Sequence, residues 1–424
     1  MKLKEINEKE FEKFARKHPL YTFHQTKEWA HLKEKNGWMN VYLGLFDKEK
    51  ILGVSLLLYK DTPLKKKMYY APRGFLLDYH DDKVLNKFTK ELYKYMKQHK
   101  AIFVKIDPTI IYQARNIDGD IIDGMDNENK LIEKLKKLGY KHHGLNIDNR
   151  SELQPRWVFV LPIENKNSDE IYEKFNSRTK RSIKKCQNHA VEVEQMKKED
   201  LKIFKEIMEH TSTRRGFLDR PFSYYQSMIE TLKDKCKIFI AYLNVTRALE
   251  MQHEIIKQED LKIKQFEKTI ESKKSQQGIE NSKKIIESSK IEIEKLSLLK
   301  QEKGDKIPLA GAMFLHVETE MTYLFGGSYK EYMNYPSQYL IQWTAICEAI
   351  KKKCNLYNFY GIDGNLKENG EMHGVYEFKR GFDGEVREYI GEFDLVISKL
   401  YYFIYNFAFK VYRQCKHFLT KLRK

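Results

Sequence analysis

Apolar residues recur at every seventh position through the middle of the chain, from about residue 246 to residue 306. The first run is Leu249, Ile256, Ile263 and Ile270, with Phe266 three residues after Ile263. After residues 275–278, the spacing resumes at Ile279, Ile286 and Ile293, followed by Leu296. Such spacing is typical of helices that pack side by side as a coiled coil. We therefore predict an antiparallel helical arm about 40 Å long, turning at residues 275–278.

On either side of this arm, apolar runs of strand length occur twice in the same order. In each copy, two strands joined by a turn are followed by a third strand, a helix and a further strand. The first copy covers residues 41–46, 51–58, 68–71, 83–99 and 101–106. The second covers residues 236–243, 307–316, 320–327, 336–353 and 356–360. An ordered internal repeat predicts two related α+β units, with the arm replacing the turn of the second unit's first hairpin.

Each unit has the element order of an N-acyltransferase (GNAT-like) domain. We place the boundaries at residues 1–150 for the first unit, 151–245 plus 307–394 for the second, 246–306 for the arm and 395–424 for a C-terminal helix. Acyl-CoA enzymes of this fold hold the pyrophosphate with a Gly-rich loop at a helix start. The nearest candidates, Arg73-Gly74 and residues 379–384, have the wrong spacing. The sequence therefore predicts a different acyl carrier and no cofactor.

Composition narrows the partners and the compartment. The chain has 77 Lys and Arg against 60 Asp and Glu, a formal charge of +17, which favours an anionic partner unless it only reflects an AT-rich genome. Five scattered cysteines show no Cys-x-x-Cys pair and no zinc-ligand spacing, so we predict free thiols and no metal site. The amino terminus lacks the apolar core of a signal peptide, and no apolar run reaches the roughly 18 residues of a membrane span. We expect a cytoplasmic protein.

Six short segments, spread in order over nearly the whole chain, point to a family. They are FHQTKEWAHLKEKNGW (23–38), KIDP (105–108), FNSRTKRSIKKC (175–186), TSTRRGF (211–217) followed by Tyr224-Tyr225, YNFYGIDG (357–364) and YEFKRGFDGE (376–385). Together they resemble the Fem aminoacyltransferases (the FemA, FemX and MurM type). The resemblance implies that aminoacyl-tRNA donates an amino acid to a side-chain amine of a peptidoglycan precursor, either lipid II or its UDP-linked form, to build a bridge or branch.

The resemblance also implies roles for residues that match the family's motifs. Lys33 would hold the precursor's diphosphate, which suits a lysine, although an ordinary solvated lysine would fit the helix equally well. The phosphate-binding arginine falls on Arg214 or Arg215, and the spacing favours Arg214. Tyr224 would line the wall against the precursor's sugar or peptide. Such a pair, Tyr224 with Tyr225, more often belongs to the core, and one of the two is expected to do so.

Asp107 is the first of two catalytic candidates. It follows a predicted strand and precedes Pro108, which favours an extended backbone. A carboxylate at that point could orient the attacking amine or accept its proton, and we expect orientation more than strict base catalysis. The ordinary interpretation is an aspartate that caps a turn before proline.

Lys379 is the second catalytic candidate. The resemblance places it near the acceptor end of tRNA, where a cation could neutralise phosphates and stabilise the oxyanion of the tetrahedral intermediate. Phe378 would stack on the terminal adenine. The underlying scaffold is predicted to be a charged β-hairpin that turns at Gly381 and Gly384.

Two basic segments extend this hypothesis. Arg178, Arg181 and Lys185 share one face of a predicted helix, and we expect tRNA phosphates to bind there unless the face is merely solvated. From Leu395 onward, seven Lys and Arg and eight aromatic residues occur without any acid. That tail suits the surface of an anionic membrane, or it packs as a helix on the second unit.

Two other functions stay open on the sequence alone. An acyl-CoA N-acetyltransferase with a degenerate cofactor loop would bind acetyl-CoA tightly. A non-enzymatic coiled-coil adaptor for RNA or membrane would lose its function with the arm but tolerate Asp107→Ala and Lys379→Ala. The arm could also support a homo- or heterodimer.

Overall fold

The computed structural model describes residues 1–147, 153–268 and 273–422, and within them the chain forms sixteen strands and thirteen α-helices. The strands, numbered in chain order, are β1 (Lys2–Glu5), β2 (Met39–Asp47), β3 (Lys50–Asp61), β4 (Lys67–Ala71), β5 (Leu76–Leu77), β6 (Ala101–Ile106), β7 (Ile111–Ala114), β8 (Tyr140–His142), β9 (Trp157–Pro162), β10 (Val191–Gln195), β11 (Cys236–Asn244), β12 (Lys306–Val317), β13 (Glu320–Ser328), β14 (Leu356–Gly361), β15 (Glu385–Tyr389) and β16 (Phe393–Val396). The helices are α1 (Glu8–Ala15), α2 (Lys27–Glu34), α3 (Asp82–Gln98), α4 (Asn129–Lys137), α5 (Ser168–Lys174), α6 (Ser177–Asn188), α7 (Leu201–Arg215), α8 (Phe222–Leu232), α9 (Val245–Glu267), α10 (Lys273–Lys303), α11 (Ser337–Lys351), α12 (His373–Arg380) and α13 (Lys399–Leu422).

The strands form two mixed sheets of closely matching topology. The first has the order β1-β2-β3-β4-β6-β16-β8, with β5 also paired to β3, and the second has the order β10-β11-β12-β13-β14-β9-β15-β7. In both sheets one parallel pair, β4 with β6 or β13 with β14, follows a run of antiparallel strands. A helix, α3 or α11, connects the strands of that pair, as parallel pairing requires. The predicted α+β fold of two GNAT-like units is confirmed.

The two sheets exchange strands. β9 follows β8 along the chain, yet it lies in the second sheet between β14 and β15. β16 follows β15, yet it lies in the first sheet between β6 and β8. Strand β7 belongs to the first half of the chain, yet it forms the edge of the second sheet. The predicted boundaries at residues 150 and 394 divide the chain by sequence, whereas each sheet contains strands from both halves. The boundaries remain a prediction.

Helix α2 of the first unit packs against α8 of the second through an apolar cluster. Trp29 and Leu32 of α2 are buried in the same cluster as Tyr225 and Met228 of α8. The chain enters α2 through Thr26, whose hydroxyl caps the helix by accepting a hydrogen bond from the backbone N–H of Trp29. This packing fixes α2 of the first unit against α8 of the second.

The arm consists of α9 and α10, which run antiparallel. The Ser282 hydroxyl donates to Glu259 at 2.7 Å across the pair. The predicted turn at residues 275–278 is wrong, because these residues lie inside α10. Gly278 is needed there for close packing, since a Cβ atom would lie 2.7 Å from a ring carbon of Phe266.

The seam of the arm also differs from the predicted one. In α10 the buried positions that recur every seven residues are Ser275, Ser282, Ser289 and Leu296. Ile279, Ile286 and Ile293 flank this seam and are half-buried. Serines, rather than the predicted isoleucines, therefore occupy most of the buried positions of α10. The predicted seam residue Ile270 lies outside the described residues.

The C-terminal helix α13 packs on the first sheet. Its Tyr402 ring contacts Phe103 of β6 edge-on, at 5.4 Å between centroids, and its hydroxyl donates to Asp394 at 2.7 Å. Packing on the second unit, one of the two sequence expectations, is therefore wrong. None of the described helices is both long and apolar enough to cross a bilayer.

Candidate functional site

Asp107 lies at the end of β6 and is almost completely buried, with 4% of its surface exposed. One carboxylate oxygen accepts the backbone N–H of Arg73 at 2.7 Å, and the other accepts the Tyr70 hydroxyl at 3.1 Å. The Arg73 guanidinium lies 3.8 Å away. Burial raises the pKa of Asp107 to about 7, although Arg73 opposes the rise. The carboxylate is thus held within the protein by three partners and titrates near neutrality.

Arg73 links this carboxylate to a cavity between the units. It has a left-handed backbone with φ of 59°, and its guanidinium donates to the carbonyl of Pro155 at 3.2 Å. The cavity has a volume of about 10 Å³, roughly one water molecule, and Gln154 and Glu392 line it together with Arg73 and Asp107. Residues from both halves of the chain therefore surround Asp107.

Tyr360, next to the end of β14, is the central residue of this region. Its hydroxyl donates to Gln154 at 2.6 Å and lies 3.3 Å from the ring nitrogen Nε2 of His24. Burial lowers the pKa of His24 well below its ordinary value, and the nearby charges of Arg73 and Lys33 add to this effect. Tyr360 has φ of 65°, in the left-handed region that non-glycine residues adopt uncommonly.

Lys379 holds the backbone at the same place. It lies on α12, is 4% exposed, and donates to the carbonyls of Gly361 at 2.6 Å and Tyr360 at 3.3 Å. Burial lowers its pKa to about 7. Asp107 and Lys379 do not touch each other. Asp107 lies on the side-chain side of Tyr360, with Arg73 between them. Lys379 binds the main chain of Tyr360.

The predicted β-hairpin at residues 376–385 is wrong, because residues 373–380 form a helix. Tyr376 and Lys379, three residues apart, are both buried on the inner face of α12. The chain does turn after Gly381, before β15 begins, as the glycines indicated. The helix gives Lys379 a fixed direction toward β14.

Lys33 belongs to a cluster of three cations in which no member pairs with a carboxylate of the described residues. Its ammonium lies 4.4 Å from the Trp29 ring centroid. Burial lowers its pKa to about 8, and the charges of Arg220 and Lys60 contribute in the same direction. We call Lys33, Lys60 and Arg220 the cationic cluster. Like charges without a counter-charge favour the approach of an anion, because an anion would relieve their repulsion.

The tyrosine pair differs in environment as the sequence indicated. Tyr224 is half-buried, and the Arg220 guanidinium lies 5.3 Å from its ring centroid. Tyr225 is fully buried and donates to Asp219 at 2.7 Å. Tyr224 therefore borders the cationic cluster.

Arg214 and Arg215 end α7 rather than joining that cluster. Arg214 is half-buried with its guanidinium 3.9 Å from the sulfur of Met333, while Arg215 is exposed. Burial, with the neighbouring charge of Arg215, lowers the pKa of Arg214. The cations that lower the pKa of Lys33 are Arg220 and Lys60, and neither was predicted from the sequence. Arg220 lies between two quoted segments, whereas Lys60 lies on a strand far away in sequence.

The basic face of α6 adjoins the Lys379 helix. Arg178, Arg181 and Lys185 are exposed on it. The backbone N–H of Asn176, which caps α6, donates to the carbonyl of Gly381 at 3.0 Å and joins this helix to the end of α12. Phe378 lies edge-on to Tyr339, with 4.8 Å between ring centroids, and is half-buried rather than free.

The fold is that of two GNAT-like units, the class in which N-acyltransferases occur. The FemAB family model matches residues 6–410. FemA of Staphylococcus epidermidis is 31% identical over 412 residues, which cover 96% of this chain and 98% of that protein. FemA of Staphylococcus aureus is 30% identical over 417 residues, covering 97% and 99%. Both are named aminoacyltransferases.

The structural comparison agrees. The crystal structure of FemX, 26% identical, matches with a TM-score of 0.80 over 95% of this chain and 99% of FemX. The chain belongs to the FemAB family, and it is an aminoacyltransferase. This membership argues against the non-enzymatic adaptor.

Proposed function

We propose that this protein transfers an amino acid from aminoacyl-tRNA to the side-chain amine of a peptidoglycan precursor's stem peptide, in the cytoplasm and at the inner face of the membrane. The observation that carries the proposal is the position of two basic surfaces at opposite ends of Tyr360. The cationic cluster lies on the side of its hydroxyl, and the α6 face lies on the side of its main chain.

The cationic cluster is the proposed site for the precursor's diphosphate. Two phosphates next to Lys33, Lys60 and Arg220 would pair charges that repel one another in the free protein. Tyr224 borders the cluster and offers its ring to the sugar or peptide. Arg214 and Arg215, if they contact the precursor, do so beyond this cluster, near Met333.

The α6 face is the proposed site for tRNA. Arg178, Arg181 and Lys185 lie three and four residues apart along one helix, and no carboxylate of the described residues forms an ion pair with them. Such a row of charges suits a phosphate backbone. Because α6 is joined to α12, RNA bound there would bring its acceptor end toward Phe378 and Lys379. Phe378 would stack on the terminal base with the part of its ring that is not packed on Tyr339.

In the proposed reaction, the amine nitrogen bonds to the ester carbonyl carbon and the carbon–oxygen bond to the terminal ribose breaks. The proton lost by the amine ends on the ribose hydroxyl. In its protonated form Lys379 has three donors and uses two of them on carbonyls, which leaves the third for the oxyanion. Asp107 acts as a positioning residue, because its oxygens already accept from Arg73 and Tyr70.

A transfer assay tests this proposal. Purified protein is incubated with a pool of charged tRNAs and with either the lipid-linked or the nucleotide-linked precursor. The mass of the product is measured by mass spectrometry. We expect a gain of one amino-acid residue. Absence of transfer from every charged tRNA to both precursors, or transfer from acetyl-CoA instead, would refute the proposal.

Two matched sets of variants separate the surfaces. Arg220→Met is expected to raise the KM for the precursor about tenfold with little change in kcat, as for the loss of one phosphate contact of about 1.4 kcal/mol. Arg181→Gln with Lys185→Gln is expected to weaken tRNA binding and flatten its salt dependence. Lys83→Gln with Lys90→Gln removes two exposed lysines from α3 and should change neither.

A further inference from the structure

The C-terminal helix α13 presents an apolar ridge to solvent. Leu400, Phe403 and Phe407 are 66%, 71% and 64% exposed. Their spacing of three and four residues places them on one side of the helix. Tyr402 and Tyr405, on the other side, pack against the first sheet. Ile404 and Val411, which are 37% and 42% exposed, extend the ridge along the same side. An apolar surface this continuous marks an interaction site.

Positive charge surrounds the ridge from two separate parts of the chain. Lys399 and Lys410 of α13 are exposed beside it. The turn between β3 and β4 contributes Lys65 and Lys66, and the ammonium of Lys66 lies 4.9 Å from the Tyr401 ring centroid. The turn is therefore in direct contact with α13.

This combination selects the kind of partner. Exposed leucine and phenylalanine side chains flanked by lysines fit the interface of an anionic lipid bilayer, which takes the rings among its acyl chains and attracts the charges. A second copy of the chain would bring two positive surfaces together. A nucleic acid would leave the apolar ridge uncovered.

The same face of the first sheet carries the cationic cluster. Lys60 pairs directly with Met68 across β3 and β4, so both side chains point to one face. The Met68 sulfur accepts the hydroxyl of Tyr405 on α13 at 3.2 Å, whereas Lys60 acts on Lys33 of α2. The part of the first sheet on which α13 packs therefore adjoins the proposed diphosphate site.

We propose that the face formed by α13 and the β3–β4 turn docks on an anionic bilayer with the ridge inserted among the lipids. The cationic cluster then lies toward the headgroups, where a membrane-anchored precursor would present its diphosphate. This last consequence rests on the proposed function, but the docking itself does not.

Vesicle sedimentation of the full-length protein tests the docking. We expect binding to phosphatidylglycerol vesicles and at least tenfold weaker binding to phosphatidylcholine vesicles. The triple variant Leu400→Ser, Phe403→Ser and Phe407→Ser should lose at least tenfold in affinity for the anionic vesicles. Lys65→Gln with Lys66→Gln should weaken binding severalfold. The control is Leu261→Ser, Ile291→Ser and Leu298→Ser, which removes three exposed apolar side chains from the arm and should bind as the wild type does.

Other outcomes would overturn the docking. They are failure of the wild type to bind anionic vesicles, equal binding by the ridge variant, and a concentration-dependent dimer that the ridge variant abolishes without any vesicle binding.

Transfer assays separate the docking from the proposed function. The ridge variant should act normally on lipid-linked precursor dispersed in detergent and at least tenfold more slowly on the same precursor in vesicles. Absence of transfer by the wild type in detergent would refute the proposed function. The docking would then still be decided by the sedimentation result.

Discussion

Replacing Lys379 by methionine tests whether its amine is as deeply buried as its contacts indicate. The ordinary pKa of lysine is 10.5, and burial lowers that of Lys379 to about 7. Each pH unit corresponds to about 1.36 kcal/mol, so the charged form costs the folded protein roughly 5 kcal/mol below pH 7. Methionine has a similar shape and no charge, and it removes this cost.

The sign of the pH dependence follows from proton binding. Between pH 7 and 10.5 the unfolded chain holds a proton on this amine that the folded protein has lost, so the wild type gains stability as pH rises. The variant lacks that gain. The difference in unfolding free energy between wild type and Lys379→Met should therefore change by about 4 kcal/mol from pH 6.5 to pH 10, in favour of the wild type. A constant offset of about 1–3 kcal/mol, from the carbonyls of Tyr360 and Gly361 that lose a donor, affects all pH values equally.

The assay is paired urea unfolding of both proteins at several pH values, followed by tryptophan fluorescence, with each difference taken at the same transition. Lys184→Met removes an exposed lysine from α6 and should give a difference that does not vary with pH. If the Lys379→Met difference also stays constant to within about 1 kcal/mol, the amine titrates in the folded protein as it does in the unfolded chain, and the argument from burial fails.

Three further predictions concern the site and the arm. Affinity for the diphosphate-bearing precursor should fall above about pH 8, where Lys33 loses its proton, and KM measured against pH should be flat in Lys33→Arg. We expect the Tyr360 hydroxyl to hold Gln154 and His24 in position, so Tyr360→Phe should lower kcat about tenfold and stability by only about 1 kcal/mol, checked by steady-state kinetics and thermal unfolding; an unchanged kcat would rule out this role. Gly278→Ala should not stabilise the arm, although alanine favours helix by about 1 kcal/mol, because its methyl group would meet Phe266; slower hydrogen exchange in α10 would contradict this.

The repeated order of strands and helices was predictable because each element is set by local spacing. The hairpin of β11 and β12 is interrupted by the whole arm, yet both strands were found from their apolar runs. The exchange of β9 and β16 was not predictable. A strand buried on both faces has the same apolar pattern whichever sheet it joins, so pairing partners far apart in sequence leave no local trace.

The site was predictable residue by residue but not as an arrangement. Asp107 and Lys379 were named from motifs. Tyr360 also lies in a motif segment, at residues 357–364, but it was not singled out because its role depends on contacts with His24 and Gln154. The helix at residues 373–380 was missed because Gly381 and Gly384 gave a strong turn signal. Its inward pair, Tyr376 and Lys379, is a short pattern that a helix and an irregular loop can share.

The reciprocal exchange of β9 and β16 has a consequence for how the protein is made. A gap remains between β6 and β8 until residues 393–396 have left the ribosome, so the first half of the chain cannot complete its sheet while it is the only part synthesised. A fragment that stops near residue 150 would expose the edges of both strands. The halves are interlocked rather than hinged, and we expect them to mature together at the end of translation.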